Sequence, residues 1–360
     1  MLIYILNLIS IPIYNKFIKN KKCFCFVVIL QLFLILAMTA DTMGIDNSNY
    51  IPGFEYISSL EFKDMLSRLH LFSRAELIYP FAYESGWVIF NWLVSFFGGD
   101  FHTLMVINSL ICMISIGYFI YKNSDCSWLS FVIYTSFAGY TFCFGVFRHV
   151  LMIAILLFAF EFAKERKFIS TALLIFLAFT IHMTAIMFVL IFFVVKYPIN
   201  KKSLIIYFTI CGIILLVGPI LLPKVIQRLY YIMGRGFYEI STKYVYNNFI
   251  ILLILITCFS LLFASKSLLI PYEKDNIIFS TFILSIIFSE LSMLTDVISR
   301  PNQMFYIMMV PLIPNVISAQ KNRQTRIIAK SVVYILMFGF MVISLHNDPI
   351  LVPYKFFFMK

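Results

Sequence analysis

Two arginines sit between apolar runs, where an ionisable side chain needs a reason. Arg148 follows Phe142–Phe147 and precedes Val150–Ala154, and Arg300 lies between Ser299 and Pro301 at the head of another apolar stretch. A charge at the bilayer centre costs at least ~2.5–3.5 kcal/mol, less toward the interface, so such residues face a cavity or a partner. A guanidinium offers a planar fork of donors matched to phosphate or carboxylate oxygens, where an ammonium is a point charge. His149 adjoins Arg148, and Asp296 and Glu290 precede Arg300. His182 stands alone between Ile181 and Met183, Glu84 precedes the apolar stretch 86–98, and Asp41 and Asp46 are expected to cap the outer end of the second apolar segment. Arginines can hold a leaving diphosphate while a carboxylate or histidine takes the proton of an attacking hydroxyl. The candidate binding residues are therefore Arg148, Arg300, His149 and Asp296, and the candidates for base chemistry are Glu84, His182 and Asp46. Structural readings stand beside these: headgroup snorkelling for Arg148, an ion pair with Asp296 or Glu290 for Arg300, and a buried hydrogen bond for His182. No second histidine follows at ligand spacing, so neither a metal nor a cofactor is expected.

The elements that must position these residues are apolar helices. The chain has 360 residues, 62% hydrophobic and 12% charged, with a mean hydropathy of +0.94. A soluble domain is about 45–50% apolar and 25% charged, so a single water-soluble core is excluded. The apolar stretches are continuous rather than alternating, which excludes an outer-membrane barrel. The fold class is all-α: a polytopic integral membrane protein forming one transmembrane domain over 1–360. Seven cysteines without a CxxC pair read as small apolar filler. The net charge of +11 reads as basic cytoplasmic loops and not as a nucleic-acid footprint.

A spanning helix needs about 20 apolar residues. Segments 23–41, 101–121, 127–147, 203–222, 246–264, 275–293, 303–319 and 327–345 meet this, and 2–15, 148–163, 168–182 and 183–196 are shorter. About twelve spans follow, with 168–196 expected as two short helices meeting near His182. If the lysine-rich loop 16–22 is cytoplasmic, every basic cluster falls on the inner side, as the positive-inside rule requires. That parity holds only if 86–98, with its two tryptophans, is interfacial or re-entrant. An outer region of 42–100 results, with an amphipathic helix within 54–76, and a second outer loop over 223–245. Fourteen of the nineteen lysines then lie inside, yet six of nine arginines lie outside. A chain that prefers lysine but keeps arginine on one face points to anionic ligands there.

Several short motifs share one order along about 260 residues. They are Gly44-Ile45-Asp46 with Tyr50, Tyr83-Glu84-Ser85-Gly86, Phe147-Arg148-His149 through Ala154, Ala178 through Ala185 around His182, and Ser299-Arg300-Pro301 through Tyr306. In these the chain resembles the EpsG family, related to Wzy O-antigen polymerases. It departs from the family pattern at His149, where glutamine is usual, at Thr184, where serine is usual, and at Pro301. The resemblance implies a GT-C-like membrane enzyme in the bacterial inner membrane. It would polymerise undecaprenyl-diphosphate-linked oligosaccharide repeat units at the periplasmic or extracellular face. Arg148 and Arg300 would hold diphosphate, with Glu84 and His182 at the sugar. Membrane lipids, a flippase and a chain-length regulator are the other expected partners. A flippase for lipid-linked sugars and an O-antigen ligase are the alternatives. A flippase would place charges on both halves of the membrane and show an inverted repeat, and neither is visible.

Overall fold

A computed structural model describes residues 1–70, 74–75, 83–232, 249–292 and 299–358. Every regular element among them is a helix, and two isolated bridges, Thr39 with Phe356 and Arg74 with Glu84, are the extended pairings. The chain divides into two compact units, one of Met1–Val189 with Ile327–Lys360, the other of Leu190–Arg326.

The first unit contains α1 (Leu2–Phe17), α2 (Lys21–Ala37), α3 (Asn47–Ser58), α4 (Phe62–Ser67), α5 (Ser85–Phe96), α6 (Phe101–Asn123), α7 (Ser127–Ile133), α8 (Phe147–Lys164) and α9 (Phe168–Ile181). The chain's last helix, Arg323–His346, belongs to this unit from Ile327 on. Helix α2 lies close against α6 because Gly117 has no side chain, and a Cβ there would overlap Ile29. Ser115 of α6 donates to the Ala154 carbonyl of α8 at 2.6 Å, joining two helices without exposing a polar atom to hydrocarbon. Helix α5 has 12 residues, about 18 Å at ~1.5 Å per residue, well short of a ~30 Å hydrocarbon core.

The second unit holds α10 (Ile191–Lys196), α11 (Lys201–Ile232), α12 (Phe249–Leu268), α13 (Lys274–Ser292), α14 (Ser299–Tyr306) and α15 (Met309–Ser318). Helix α13 is its buried centre: Asn276 donates to the carbonyls of Ile199 at 2.7 Å and Leu268 at 2.6 Å, and Phe288 stacks on Phe305 at 4.8 Å.

Among the described residues three helices are long and apolar enough to cross a membrane: α6, α13 and α16 (Arg323–His346). Two expected spans are broken. Segment 127–147 is helical only to Ile133, then passes through a wide turn over Tyr134–Ala138, Gly139 at φ +143° and a tight turn over Thr141–Phe144. Segment 303–319 is interrupted between Tyr306 and Met309. There Pro311 has no N–H to return to the carbonyl four residues earlier, so the helix restarts. The break near His182 is present: α9 ends at Ile181, His182 is extended (φ −153°, ψ 117°), and a tight helical turn runs over Met183–Leu190. Within the outer region, residues 47–53 belong to α3, and the stretch expected as one amphipathic helix is divided between α3 and α4. Residues 223–232, expected in a loop, continue α11, while 233–245 lie outside the described residues.

Candidate functional site

Arg148 is the second residue of α8. The first turn of a helix carries the positive end of the macrodipole, so a cation there is opposed by its own helix. The compensation comes from a distant element. The Glu84 carboxylate accepts a hydrogen bond from the Arg148 Nη1 at 2.5 Å, with the two side chains 7% and 13% exposed. Charge-assisted contacts of this length are the strong class. Glu84 occupies the N-cap position of α5, yet its side chain caps nothing there; the carboxylate is turned to α8 instead. Its other oxygen accepts from the Met183 amide at 3.4 Å, so one carboxylate ties α5 to both α8 and the turn after α9.

Two tyrosines complete the surroundings of the guanidinium. The Tyr83 ring lies 4.9 Å and the Tyr50 ring 5.9 Å from its central carbon, and Arg148 Nε donates to the Tyr50 hydroxyl at 3.4 Å. A cation over an aromatic face gains about 0.5–2 kcal/mol, more when desolvated. Tyr50 is itself wedged against Trp87 at 5.6 Å and Phe147 at 5.5 Å. The Tyr83 hydroxyl donates to the Asn49 carbonyl at 2.8 Å. Burial pushes its phenol up to about 12 against the opposing pull of Arg148, so it stays a neutral donor at physiological pH.

Glycines let these elements meet. A Cβ on Gly86 would stand 2.8 Å from the Thr180 carbonyl carbon, so α5 packs directly on the end of α9. A Cβ on Gly53 would stand 2.7 Å from the Tyr83 ring. Gly145 faces Gly44, backbone against backbone, at the entry to α8. Four of the motifs read from the sequence are therefore one packed cluster.

His182, at the end of α9, shares a hydrogen bond with the Thr184 hydroxyl at 2.8 Å through Nδ1. Its ring meets that of His149 edge-on at 5.5 Å. Both imidazoles are buried. The structure thus brings together Glu84, Arg148, His149 and His182. Asp46 stands at the N-cap position of α3, and its charge acts on Tyr83. It does not cap α2, which ends at Ala37, because eight residues of turn separate them. Asp41 does not cap that helix either: its carboxylate lies 2.7 Å from the His102 ring. Arg300 belongs to α14 in the other unit, by its backbone, and Asp296 lies outside the described residues. Glu290 is buried in α13 of that unit. No group of three or more metal-ligating side chains occurs among the described residues.

Tyr50 and Tyr83 lie within the sequence motifs, where their residue type alone assigns them no role. Their signal was present: Tyr83 immediately precedes the one acid of its motif, and Tyr50 follows Asp46 by a helical turn. Chemically, the arrangement is a caged guanidinium already satisfied by an internal anion, with two histidines beside the carboxylate's second contact.

A family model described as the EpsG family matches residues 22–356, nearly the whole chain, and the chain belongs to that family. Its members are Wzy-type polymerase-like. Neither a curated protein nor a solved structure matches the chain.

Proposed function

From membership of a family of polysaccharide-biosynthesis membrane proteins, we propose that this multi-pass protein is a glycosyltransferase that polymerises lipid-diphosphate-linked oligosaccharide repeat units. In this reading undecaprenyl diphosphate is the carrier. The reaction takes place at the outer face of the bacterial cytoplasmic membrane and proceeds without a metal. The observation that carries it is the Arg148–Glu84 pair inside its tyrosine cage.

An incoming diphosphate competes with Glu84 for the guanidinium fork, to which it offers two oxygens and more charge than a carboxylate. Glu84 is then released beside the reacting centre. The acceptor hydroxyl oxygen attacks the anomeric carbon of the donor glycan, and the bond from that carbon to the diphosphate oxygen breaks. Its electron pair leaves on the diphosphate, where Arg148 stabilises the charge, and the hydroxyl proton passes to Glu84 or His182. Arg148 thus acts on charge that develops as the bond breaks, the kind of interaction that accelerates the chemical step. Tyr50 and Tyr83 keep the guanidinium aimed while Glu84 is away. Arg300, Asp296 and His149 are further residues proposed for diphosphate or sugar binding, and Asp46 is a further proposed carboxylate.

A glycan-ladder gel tests the reading. A deletion strain is complemented with Arg148→Ala, Arg300→Ala, Glu84→Gln or His182→Ala, with membrane levels of each variant measured by immunoblot. The expected pattern is single repeat units on the surface without long chains. Wild-type ladders from Arg148→Ala and Glu84→Gln would overturn the assignment. Lipid-linked units trapped inside the deletion strain, with nothing exported, would favour a flippase.

A further inference from the structure

A groove between α2 and α6 takes no part in the chemistry above. It encloses about 580 Å³. Phe26, Ile29 and Phe33 of α2 wall one side, Ile114, Tyr118 and Tyr121 of α6 the other, and Lys22 stands at one end. Phe26 is 64% and Ile114 50% exposed, so the walls are open to whatever surrounds the helices. The lining runs from Lys22 to Phe33 along α2 and from Tyr121 back to Leu110 along α6. Eleven residues of helix rise about 16 Å, roughly half of a ~30 Å hydrocarbon core. The groove therefore has the depth of a single leaflet, open at the lysine end and finishing near the midplane.

Its mouth is cationic. The Lys21 ammonium lies 5.5 Å from the Tyr121 ring centroid and the Lys122 ammonium 5.6 Å from that of Tyr118. The tyrosines that wall the groove thus also hold ammonium groups at its opening. Lys21 donates in addition to the Ser124 carbonyl at 2.6 Å. Of the acids at this end, Glu161 is paired with Lys164 at 3.0 Å and Glu165 with Lys167 at 2.7 Å, and Asp125 is one acid beside the three lysines Lys21, Lys22 and Lys122. An occupant must offer a hydrocarbon chain of leaflet length joined to an anion. A zwitterionic lipid would fill the groove and leave the positive mouth unanswered.

We propose that the α2–α6 groove is a binding site for an anionic phospholipid, with one acyl chain along Phe26–Phe33 and Ile114–Tyr121 and the phosphodiester between Lys21, Lys22 and Lys122. The site is separate from the Arg148 cluster and does not depend on the proposed polymerase activity.

The full-length protein, purified in neutral detergent, is incubated with phosphatidylglycerol or with phosphatidylcholine of the same acyl chains, and retained lipid is counted by native mass spectrometry. Each lysine near a lipid phosphate contributes about fivefold in affinity at most. Phosphatidylglycerol should therefore be retained about tenfold or more over phosphatidylcholine. The double variant Lys22→Gln with Lys122→Gln leaves Lys21 on Ser124, and should cut the preference to about fivefold or less while still retaining both lipids. Ile114→Trp fills the groove without touching a charge and should lower retention of both several-fold. Membrane levels by immunoblot and a single size-exclusion peak in detergent report that these variants are folded. Equal retention by the unaltered protein would overturn the proposal, as would a preference left undiminished by loss of both lysines. Displacement of phosphatidylglycerol by millimolar inorganic phosphate would reduce the site to a free-anion site, and tighter retention of a polyprenyl phosphate would change its occupant; either result overturns the assignment.

Discussion

Helix α8 carries a cation in its first turn and another in its last, and the two are held in opposite ways. Lys164 lies at the C-terminal end, where the macrodipole favours positive charge. It bonds Glu161 three residues back at 3.0 Å and Asn123 of α6 at 2.5 Å. Arg148 lies at the N-terminal end, where the dipole opposes it, and its acid comes from 64 residues away. Burial does not separate them, since the side chains of both pairs are 16% exposed or less. What separates them is local support. Lys164 stays satisfied by its own helix and its neighbour whatever else binds. Arg148 depends on an imported carboxylate and two tyrosine faces, so an arriving anion meets a cation whose internal partner can be replaced. The first is an arrangement for holding a helix end, and in the proposed function the second is the one that exchanges ligands.

The largest expected effect tests that distinction directly. Arg148→Lys keeps the charge and loses the fork, and should reduce long-chain polysaccharide at least about a hundredfold on a ladder gel, the scale of losing one electrostatic contact in a transition state. Lys164→Arg should leave the ladder unchanged. Equal losses at both ends would erase the contrast. Next in size is stability. Glu84→Ala strands a buried guanidinium and should cost about 3–5 kcal/mol, read by denaturant unfolding in micelles. Glu161→Ala should cost about 1 kcal/mol, because Lys164 keeps Asn123 and the dipole.

A third variant acts on the approach of the two elements and not on the charges. Gly86→Ala places a methyl 2.8 Å from the Thr180 backbone, and should cost about 1–3 kcal/mol by overpacking and shorten the ladder by moving Glu84. Gly212→Ala, where a Cβ meets nothing within 4 Å, should instead stabilise α11 slightly. The smallest effect belongs to a purely local contact. Asp100 caps α6, accepting from the Thr103 amide at 2.8 Å and its hydroxyl at 2.7 Å, and these bonds hold its carboxyl below the ordinary 3.8. Asp100→Ala should cost about 1 kcal/mol near neutrality. Because the folded value is depressed, the wild-type advantage should be full above pH 3.8 and fade as the pH falls below it. A thermal melt at pH 7 and pH 3 checks the sign.

Much of the site was legible because an ionisable residue among apolar ones is conspicuous: Arg148, His149 and His182 were selected on that ground, and Glu84 by its place before an apolar stretch. The helix break at His182 was legible from an apolar run too long for one straight span. The broken segments 127–147 and 303–319 were misjudged by hydropathy, which averages over Gly139 and Pro311 and so overlooks the backbone constraints that interrupt the helices there. Tyr50 and Tyr83 were hidden in a chain with 21 tyrosines, where aromatic identity alone selects nothing. The capping expected of Asp41 and Asp46 failed because the residues between them and α2 turn away, one acid reaching His102 and the other starting α3.

The sequence by itself determined that this is an all-helical membrane chain, where apolar segments end and which charged residues stand out. Those properties follow from composition and from spacing along the chain, and solvent transfer energies act on them residue by residue. Only the tertiary structure decided that Glu84 answers Arg148, that two tyrosines cage the guanidinium, and that Gly86 brings α5 onto α9. These contacts join residues dozens of positions apart, and their energies depend on distance and desolvation, which no local pattern encodes.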